Sequence, residues 1–291
     1  MTVVFINPYR YDLGLLDQYG GAAAAYSLRA LSIDYTSPVV RVRRSSDNAE
    51  QDFTAAEVSD GTLAAWVGAG NNGLVTTWYD QSGNGKDVAQ TTSSRQPIIV
   101  DASGGVITDN SQPAIYFNGD GGIESTTPYA LASSSVIDVT QNLSVFAVMS
   151  PQTDPSTQDA VWGQFSSVLN ANDDYVSYGF RDGGYFTRIR TSVSTIGNGF
   201  DTNSQSQSLI SDIVDWSAQA NAFSVNGAAG TDLNDGRSTQ SFAGISLGAR
   251  PDEESYAANI YLQEVVLYES DQSANRAAIE ANINAHYSIY P

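Results

Sequence analysis

Residues Leu74 to Gln90 read LVTTWYDQSGNGKDVAQ, and the rest of the chain is read outward from this run. Val75, Thr77 and Tyr79 alternate with Leu74, Thr76 and Trp78, the β-branched and aromatic pattern of a strand half buried in a sheet. Asp80 to Gly85 then supplies two glycines and an asparagine, residues that tolerate positive φ in a tight reversal. Val88-Ala89-Gln90 returns, so the stretch is predicted to be a β-hairpin. Asp80 admits two readings. It is a carboxylate on a sheet rim that holds a sugar hydroxyl or a cation, or it bonds, with Ser82, the backbone of its own turn. The general behaviour of such residues in turns favours the second.

Other runs repeat the pattern. Strands are expected over residues 39–43, 96–100 and 112–117, then over 143–149, 160–165, 175–181, 185–191, 208–216, 222–225, 245–248 and 258–268. From Asn142 onward the strands follow one another without intervening helices, which indicates a sandwich or barrel, not a parallel α/β sheet. Three helical stretches lie outside that run. Ala22 to Leu31 is alanine-rich with Ala24, Leu28 and Leu31 on one face, and residues 62–67 form a short patch. Asp271 or Ser273 is expected to cap a last helix whose inward stripe is Ala274, Ala278, Ile279, Ile283 and Tyr287.

The charge excludes several partners. Thirty-two acidic residues against 13 basic ones give −19, and Lys86 is the only lysine. A field of that sign repels nucleic-acid phosphates and anionic membranes. It also suits salty surroundings, where screening shortens repulsion to roughly 8 Å or less. Cysteine is absent, so neither a disulfide framework nor a zinc–thiolate centre is available. Residues 1–9, MTVVFINPY, show no basic region, long apolar core or small-residue cleavage site, so no signal peptide is expected, and no run approaches a membrane span. Val3 to Ile6, cut by Asn7-Pro8, reads as the strand of an N-terminal arm over residues 1–16 or as an edge strand of the chain's own sheet.

Several residues admit both a functional and a plain structural role. Arg41, Arg43 and Arg44 stand beside Asp47, Glu50 and Asp52, and most simply neutralise them. Asn118 to Gly122 has an oxygen density that suits Ca²⁺ but lacks the spacing and closing glutamate of a calcium loop. His286, the single histidine, has no serine or cysteine motif with it, which favours a boundary position over a general base. If a glycan is held, Trp162, Tyr178, Phe180 and Tyr185 are the rings to stack on sugar C–H faces, with Asp182 and Arg188 as polar partners.

Two blocks carry a family resemblance. Ile245-Ser246-Leu247-Gly248-Ala249-Arg250, with residues 258–268 and the helix after Asp271, resembles the end of a concanavalin A-like, laminin-G-type β-sandwich. Tyr26 to Leu31, Val39 to Asp52 and Val75 to Gln90, with Tyr79-Asp80-Gln81-Ser82-Gly83 at the centre, resemble the opening of the glycoside hydrolase family 54 arabinofuranosidase catalytic domain, itself a concanavalin-like sandwich. The same block is similar to lectin-like proteins of bacteriophage structural gene regions, where an opening like Phe5-Ile6-Asn7-Pro8-Tyr9 also occurs. The chain departs from the enzymes. The fungal disulfides cannot form, and the Glu-x-Asp-x-x-Glu strand of laminarinase-like enzymes is absent, since Glu264 stands alone. No stretch after Leu143 shows the pair of carboxyls, roughly 5 Å apart for retention or roughly 6.5 to 9.5 Å for inversion, that glycosidases need.

The resemblance implies an all-β, concanavalin A-like β-sandwich (jelly roll) over residues 17–291, with a short N-terminal helix and a C-terminal helix. The function expected from it is a non-enzymatic, lectin-like structural protein of a bacteriophage virion: a capsid decoration, head fibre or tail-associated adhesin on the exposed surface, made in the host cytoplasm. Its expected partners are other virion proteins or copies of itself, with glycans as candidate ligands, and no nucleic acid, membrane insertion or cofactor. An arabinofuranosidase-like glycoside hydrolase is the alternative reading, and a bacterial carbohydrate-binding module the third.

Overall fold

A computed structural model describes residues 13–119, 129–133, 137–139, 142–152, 163–169, 175–181, 184–190, 195–201, 206–218, 220–230, 240–242, 244–249 and 257–291. For 137–139, 163–201 and 240–242 the description is of the backbone, with the side chain of Tyr178. The chain opens with α1 (Leu15–Gln18), β1 (Ala24–Ser27), β2 (Val40–Arg44), β3 (Glu50–Phe53), α2 (Ala55–Ser59), α3 (Thr62–Val67), β4 (Gly73–Trp78) and β5 (Val88–Ala89). It continues with β6 (Ile98–Val100), β7 (Thr108–Asp109), β8 (Gln112–Pro113), β9 (Ile115–Asn118), β10 (Leu131–Ser133), β11 (Ile137–Val139), β12 (Asn142–Pro151) and β13 (Gly163–Leu169). Then follow β14 (Tyr175–Arg181), β15 (Gly184–Arg190), β16 (Thr195–Asp201), β17 (Ser208–Asp215), β18 (Ala220–Val225), β19 (Ala228–Ala229), β20 (Gln240–Phe242), β21 (Gly244–Leu247), β22 (Asn259–Tyr268) and α4 (Arg276–Tyr287).

These strands make two antiparallel layers. The front layer runs β3-β2-β4-β5-β10-β21-β13-β14-β15-β16. The back layer runs β18-β17-β12-β22, and β9 and β1 lie end to end along the far edge of β22. β6 pairs with β4 on one side and β9 on the other, which carries the chain from one layer to the next. Between the layers Val40, Val42, Val75 and Trp78 meet Phe117, Val145, Ile210, Ile260 and Leu267 in one buried cluster. The fold is an all-β sandwich with few helices, as the alternating pattern predicts.

β22 is where the back layer is assembled. Ile260, Leu262, Val265 and Leu267 all face the interlayer core, although a strict two-residue period would put 262 and 265 on opposite sides. The register skips Gln263 between the pairs Val148↔Glu264 and Met149↔Leu262, so Gln263 is a β-bulge that restores the alternation. β9 pairs with residues 259–262 and β1 with 264–267, so the bulge also marks the junction of the two edge strands. A second bulge at Thr76 between Arg41↔Thr77 and Val42↔Val75 does the same for β4, putting both Val75 and Trp78 in the core.

One predicted helix is a strand. Ala22 to Leu31 was expected to be helical, yet Ala24 to Ser27 pair antiparallel with Leu267 to Glu264. Tertiary context outweighs the propensity of alanine, a matter of tenths of a kcal/mol per residue. Ala24 and Tyr26 enter the interlayer core while Ala22 and Ala25 enter a second cluster beneath α4, so both faces of β1 are covered. The true N-terminal helix is α1, which starts inside the expected arm and buries Leu15 in the same second cluster.

α4 also shifts. It begins at Arg276 with Asn275 at the N-cap position, in place of the expected Asp271 or Ser273, and Ala274 and Ala278 are exposed. Its inward face is Ile279, Glu280, Ile283 and Tyr287, packed with Phe146, Val148, Leu209 and Val266 on the outer side of the back layer. No helix among the described residues is long and apolar enough to cross a membrane.

Gly248, in the stretch that resembles the end of laminin-G sandwiches, has φ 88°, and a Cβ there would strike the Phe117 ring and the Tyr129 carbonyl. Positive φ and a steric clash combine at this one position. Gly248→Ala is expected to cost about 2 to 5 kcal/mol, measured by urea denaturation, whereas a loss below about 0.5 kcal/mol would show that neither constraint holds.

Candidate functional site

The hairpin tip between β4 and β5 reaches across to β1. Asp80 Oδ1 accepts from the amides of Ala25 at 2.8 Å and Ser82 at 2.9 Å, and Oδ2 accepts from Ser82 Oγ at 2.7 Å and the Lys86 amide at 3.0 Å. Four bonds fill a carboxylate's acceptor sites, so Asp80 is held in a structural role and has no lone pair left for a hydroxyl or a cation. Gln81 extends the contact. Its amide donates to Ala25 O, its Nε2 to Ser27 O and Arg29 O, and its Oε1 accepts from the Leu31 amide. Asn84 Nδ2 donates to Ala22 O and Ala23 O. The tip thus satisfies the open edge of β1, with Gly83 and Gly85 at φ 86° and 66° making the reversal.

A buried ion pair fixes the same strand from the other side. Arg29 Nε and Nη2 donate to the two oxygens of Glu264 at 2.7 and 2.9 Å, and Ser27 Oγ and Tyr287 Oη donate to Glu264 Oε2 at 2.9 and 3.2 Å. Burial alone would push the Glu264 carboxyl up, but the Arg29 charge and the hydrogen bonds of Arg29 and Ser27 outweigh it and hold the group below the usual glutamate range. Burial, then the Glu264 charge, raises the Tyr287 hydroxyl far above its ordinary value, so it stays a neutral donor. Next to Glu264 the bulge residue Gln263 turns its Nε2 to the carbonyls of Asp109, Gln112 and Pro113 and accepts from Gln207. Glu280, which no pattern in the sequence flagged, accepts from Ser211, Ser224 and Arg276 beneath α4.

His286 sits at the boundary, half-buried, its ring edge-on to that of Tyr287 with centroids 4.6 Å apart. Burial first, then the Arg29 charge, depress its imidazole from 6.5 to about 4. Of the other nominated groups, Arg41 pairs with Glu50 and Asp52, and Arg44 with Asp47, as expected. Arg43 instead bonds the neutral Gln96 and Asn48. Glu50 and Asp52 are the half-exposed acids of β3, and Arg41 lies on both, so they stand as paired charges.

The glycan-contact residues fare unevenly. Tyr178 is fully buried in the interlayer core, which removes it from any stacking surface. Trp162 and Asp182 lie outside the described residues. β14 and β15 bring the remaining three onto one hairpin, with Phe180 opposite Tyr185 and Arg188 opposite Ser177, and of these the backbone alone is described. Of the loop nominated for Ca²⁺, residues 120–122 lie outside the described residues; among the described ones no group of three His, Asp or Glu side chains is placed to hold a metal ion.

The segments that meet at the hairpin tip are also those that known proteins share. Residues 18–126 match the family model described as alpha-L-arabinofuranosidase B, catalytic. The matching family is a catalytic domain. Alpha-L-arabinofuranosidase B of Penicillium canescens is 34% identical over 103 residues, which cover 32% of this chain and 22% of that protein. Among solved structures, a GH54 α-L-arabinofuranosidase soaked with a cyclic sulfate inhibitor superposes with a TM-score of 0.67 at 18% identity, over 94% of this chain and 65% of that one. An arabinofuranosidase complexed with arabinofuranosyl-α-1,2-xylobiose gives 0.63 at 16% identity with the same coverage. The chain therefore has the arabinofuranosidase fold and spans 65% of the length of those enzymes.

These matches correct the expectation of a non-enzymatic virion lectin. The family model, the Penicillium canescens protein and the two solved structures above are all arabinofuranosidases, which backs the hydrolase reading and lends no support to a virion, capsid or tail role. The virion expectation rested mainly on the likeness of the block from Tyr26 to Gln90 to phage lectin-like proteins, and that same block lies within the segment matched by the arabinofuranosidase family model.

Two outcomes test the buried pair. Glu264→Gln leaves Arg29 without its counter-charge and is expected to cost about 3 to 5 kcal/mol in urea unfolding at pH 7; a change under about 1 kcal/mol would refute the role. For His286, the unfolded chain takes up a proton near pH 6.5 that the folded chain refuses until about pH 4, so its contribution is complete above 6.5 and is lost as pH falls through that window. His286→Gln should flatten the stability–pH curve between those values, and a curve that keeps the parent slope would contradict the assignment.

Proposed function

We propose that this chain is a glycoside hydrolase domain of the α-L-arabinofuranosidase type, built as a concanavalin A-like jelly roll, that releases arabinofuranosyl groups from polysaccharide. The match of residues 18–126 to a catalytic-domain family carries this reading, and the likeness of fold over 94% of the chain extends it beyond the matched segment. A glycosidase of this kind works through two carboxyls flanking the scissile bond. Asp80, Glu264 and Glu280 are committed to internal hydrogen bonds, so the reading draws the acid pair from elsewhere. Sugar contacts are assigned to Trp162, Phe180, Asp182, Tyr185 and Arg188, without Tyr178. The reading needs no metal or other cofactor, takes a glycan as partner, and treats residues 17–291 as one domain behind an arm of residues 1–16.

The test is release of arabinose from 4-nitrophenyl α-L-arabinofuranoside and from arabinoxylan, followed by an amide scan of the acids between residues 153 and 256, Asp182 first. At least one substitution should cut the rate by about 10²-fold or more with the melting temperature unchanged. No release from either substrate by the folded chain would overturn the proposal.

A further inference from the structure

Arg29, Arg41, Arg44, Lys86 and Arg276 each pair with a carboxylate. Among the described residues no carboxylate pairs with Arg43. It lies on the outer side of the front layer, since its β2 neighbours Val40 and Val42 enter the core, and it is only 8% exposed. Its Nε donates to Gln96 Oε1 and its Nη1 to Asn48 Oδ1, both at 2.7 Å, and its Nη2 to Ser93 O at 3.3 Å. All three acceptors are neutral. Gln96 Nε2 donates to Gln90 O at 2.9 Å, which keeps Oε1 turned to the guanidinium. Glu50 stands opposite Arg43 in the β2–β3 register, yet its carboxylate goes to Arg41, 3.6 Å from Nε.

A guanidinium stays charged at every working pH and carries five N–H donors. Three are used here, which leaves one on each terminal nitrogen, and those two nitrogens form the fork that takes both oxygens of a carboxylate. Arginine is rarely buried to this degree without a counter-charge. The fork is within reach of a ligand, because Asn48 and Ser93, which hold its two nitrogens, are themselves exposed. Thr92 and Ser94, also exposed, bring hydroxyls to the same rim. The net charge of −19 repels anions at long range, so an anion held here has to be recognised by contact. A carboxylate carried on a sugar ring fits both parts: the fork takes the carboxylate and the loop hydroxyls take those of the ring.

We propose that Arg43, with Asn48 and the loop of residues 92–96, binds the carboxylate of a uronic acid unit in an acidic polysaccharide. The class of ligand rests on the carbohydrate reading above. The test is a titration of the full chain with sodium glucuronate at physiological ionic strength, followed by ¹⁵N spectra of the Arg43 Nε–H group and of the Asn48 and Ser93 amides. All three signals should move saturably with glucuronate and stay fixed with xylose. Arg43→Lys keeps the charge and loses the fork, so it should bind at least about tenfold more weakly, read at the two amides, with the rate on 4-nitrophenyl α-L-arabinofuranoside unchanged. No movement in the parent, or equal affinity in Arg43→Lys, would overturn the proposal. So would binding seen only in Glu50→Gln, which would make Glu50 the counter-charge of Arg43. Acetate or inorganic phosphate binding as tightly as glucuronate would mark a site for any small anion and overturn the sugar assignment. Should Arg43→Lys not fold, the parent decides by whether its Arg43 signal follows glucuronate in preference to acetate. Glucuronate binding at Arg43 in a chain that releases no arabinose would uphold the site and sink the hydrolase reading, and arabinose release without that binding would sink the site alone.

Discussion

Everything in this sandwich depends on keeping β1 extended. Its alanines favour a helix, and its outward edge would otherwise leave backbone groups unpaired in the interior. The Asp80–Gln81 pair supplies those partners from the front layer, and β22 supplies the others from the back layer. Arg29 and Glu264 then join the segment after β1 to β22 under the cover of Tyr287. One strand is thereby fixed by both layers and by α4, and the hairpin tip acts as a fastener between sheets.

This arrangement explains what the shared motif is for. Tyr26 to Leu31 and Tyr79 to Gly83, both within the segment that matches the arabinofuranosidase family, bind one another. The resemblance thus transmits an architecture. Carboxylates that look functional in the sequence, Asp80 and Glu264, are spent in building it, so the chemistry of a hydrolase has to be sought elsewhere on the same scaffold.

Legibility in the sequence followed the range of the interactions. The β4–β5 hairpin was readable because alternation and turn glycines are local, as were β2, β12, β17 and β22. β1 was not, because its partners lie more than 50 residues away in Asp80 and more than 200 away in β22. The bulges at Thr76 and Gln263 shift the period by one residue and leave no mark in composition. Tyr178 illustrates the limit for the site: an aromatic in a strand reads the same whether it faces sugar or core, and here it faces the core. The choice between enzyme and lectin turned on the match of residues 18–126 to a catalytic-domain family, not on any residue pattern within the strands.

The central claim is that the hairpin tip and β1 form one cooperative unit with the back layer. Native-state hydrogen exchange at the Ala25 and Leu31 amides, which donate to Asp80 and Gln81, tests it most directly. Both amides should exchange only through global unfolding, with the free energy and denaturant dependence of the central strands β12 and β22. Exchange through a local opening, at lower free energy and with little denaturant dependence, would contradict the account.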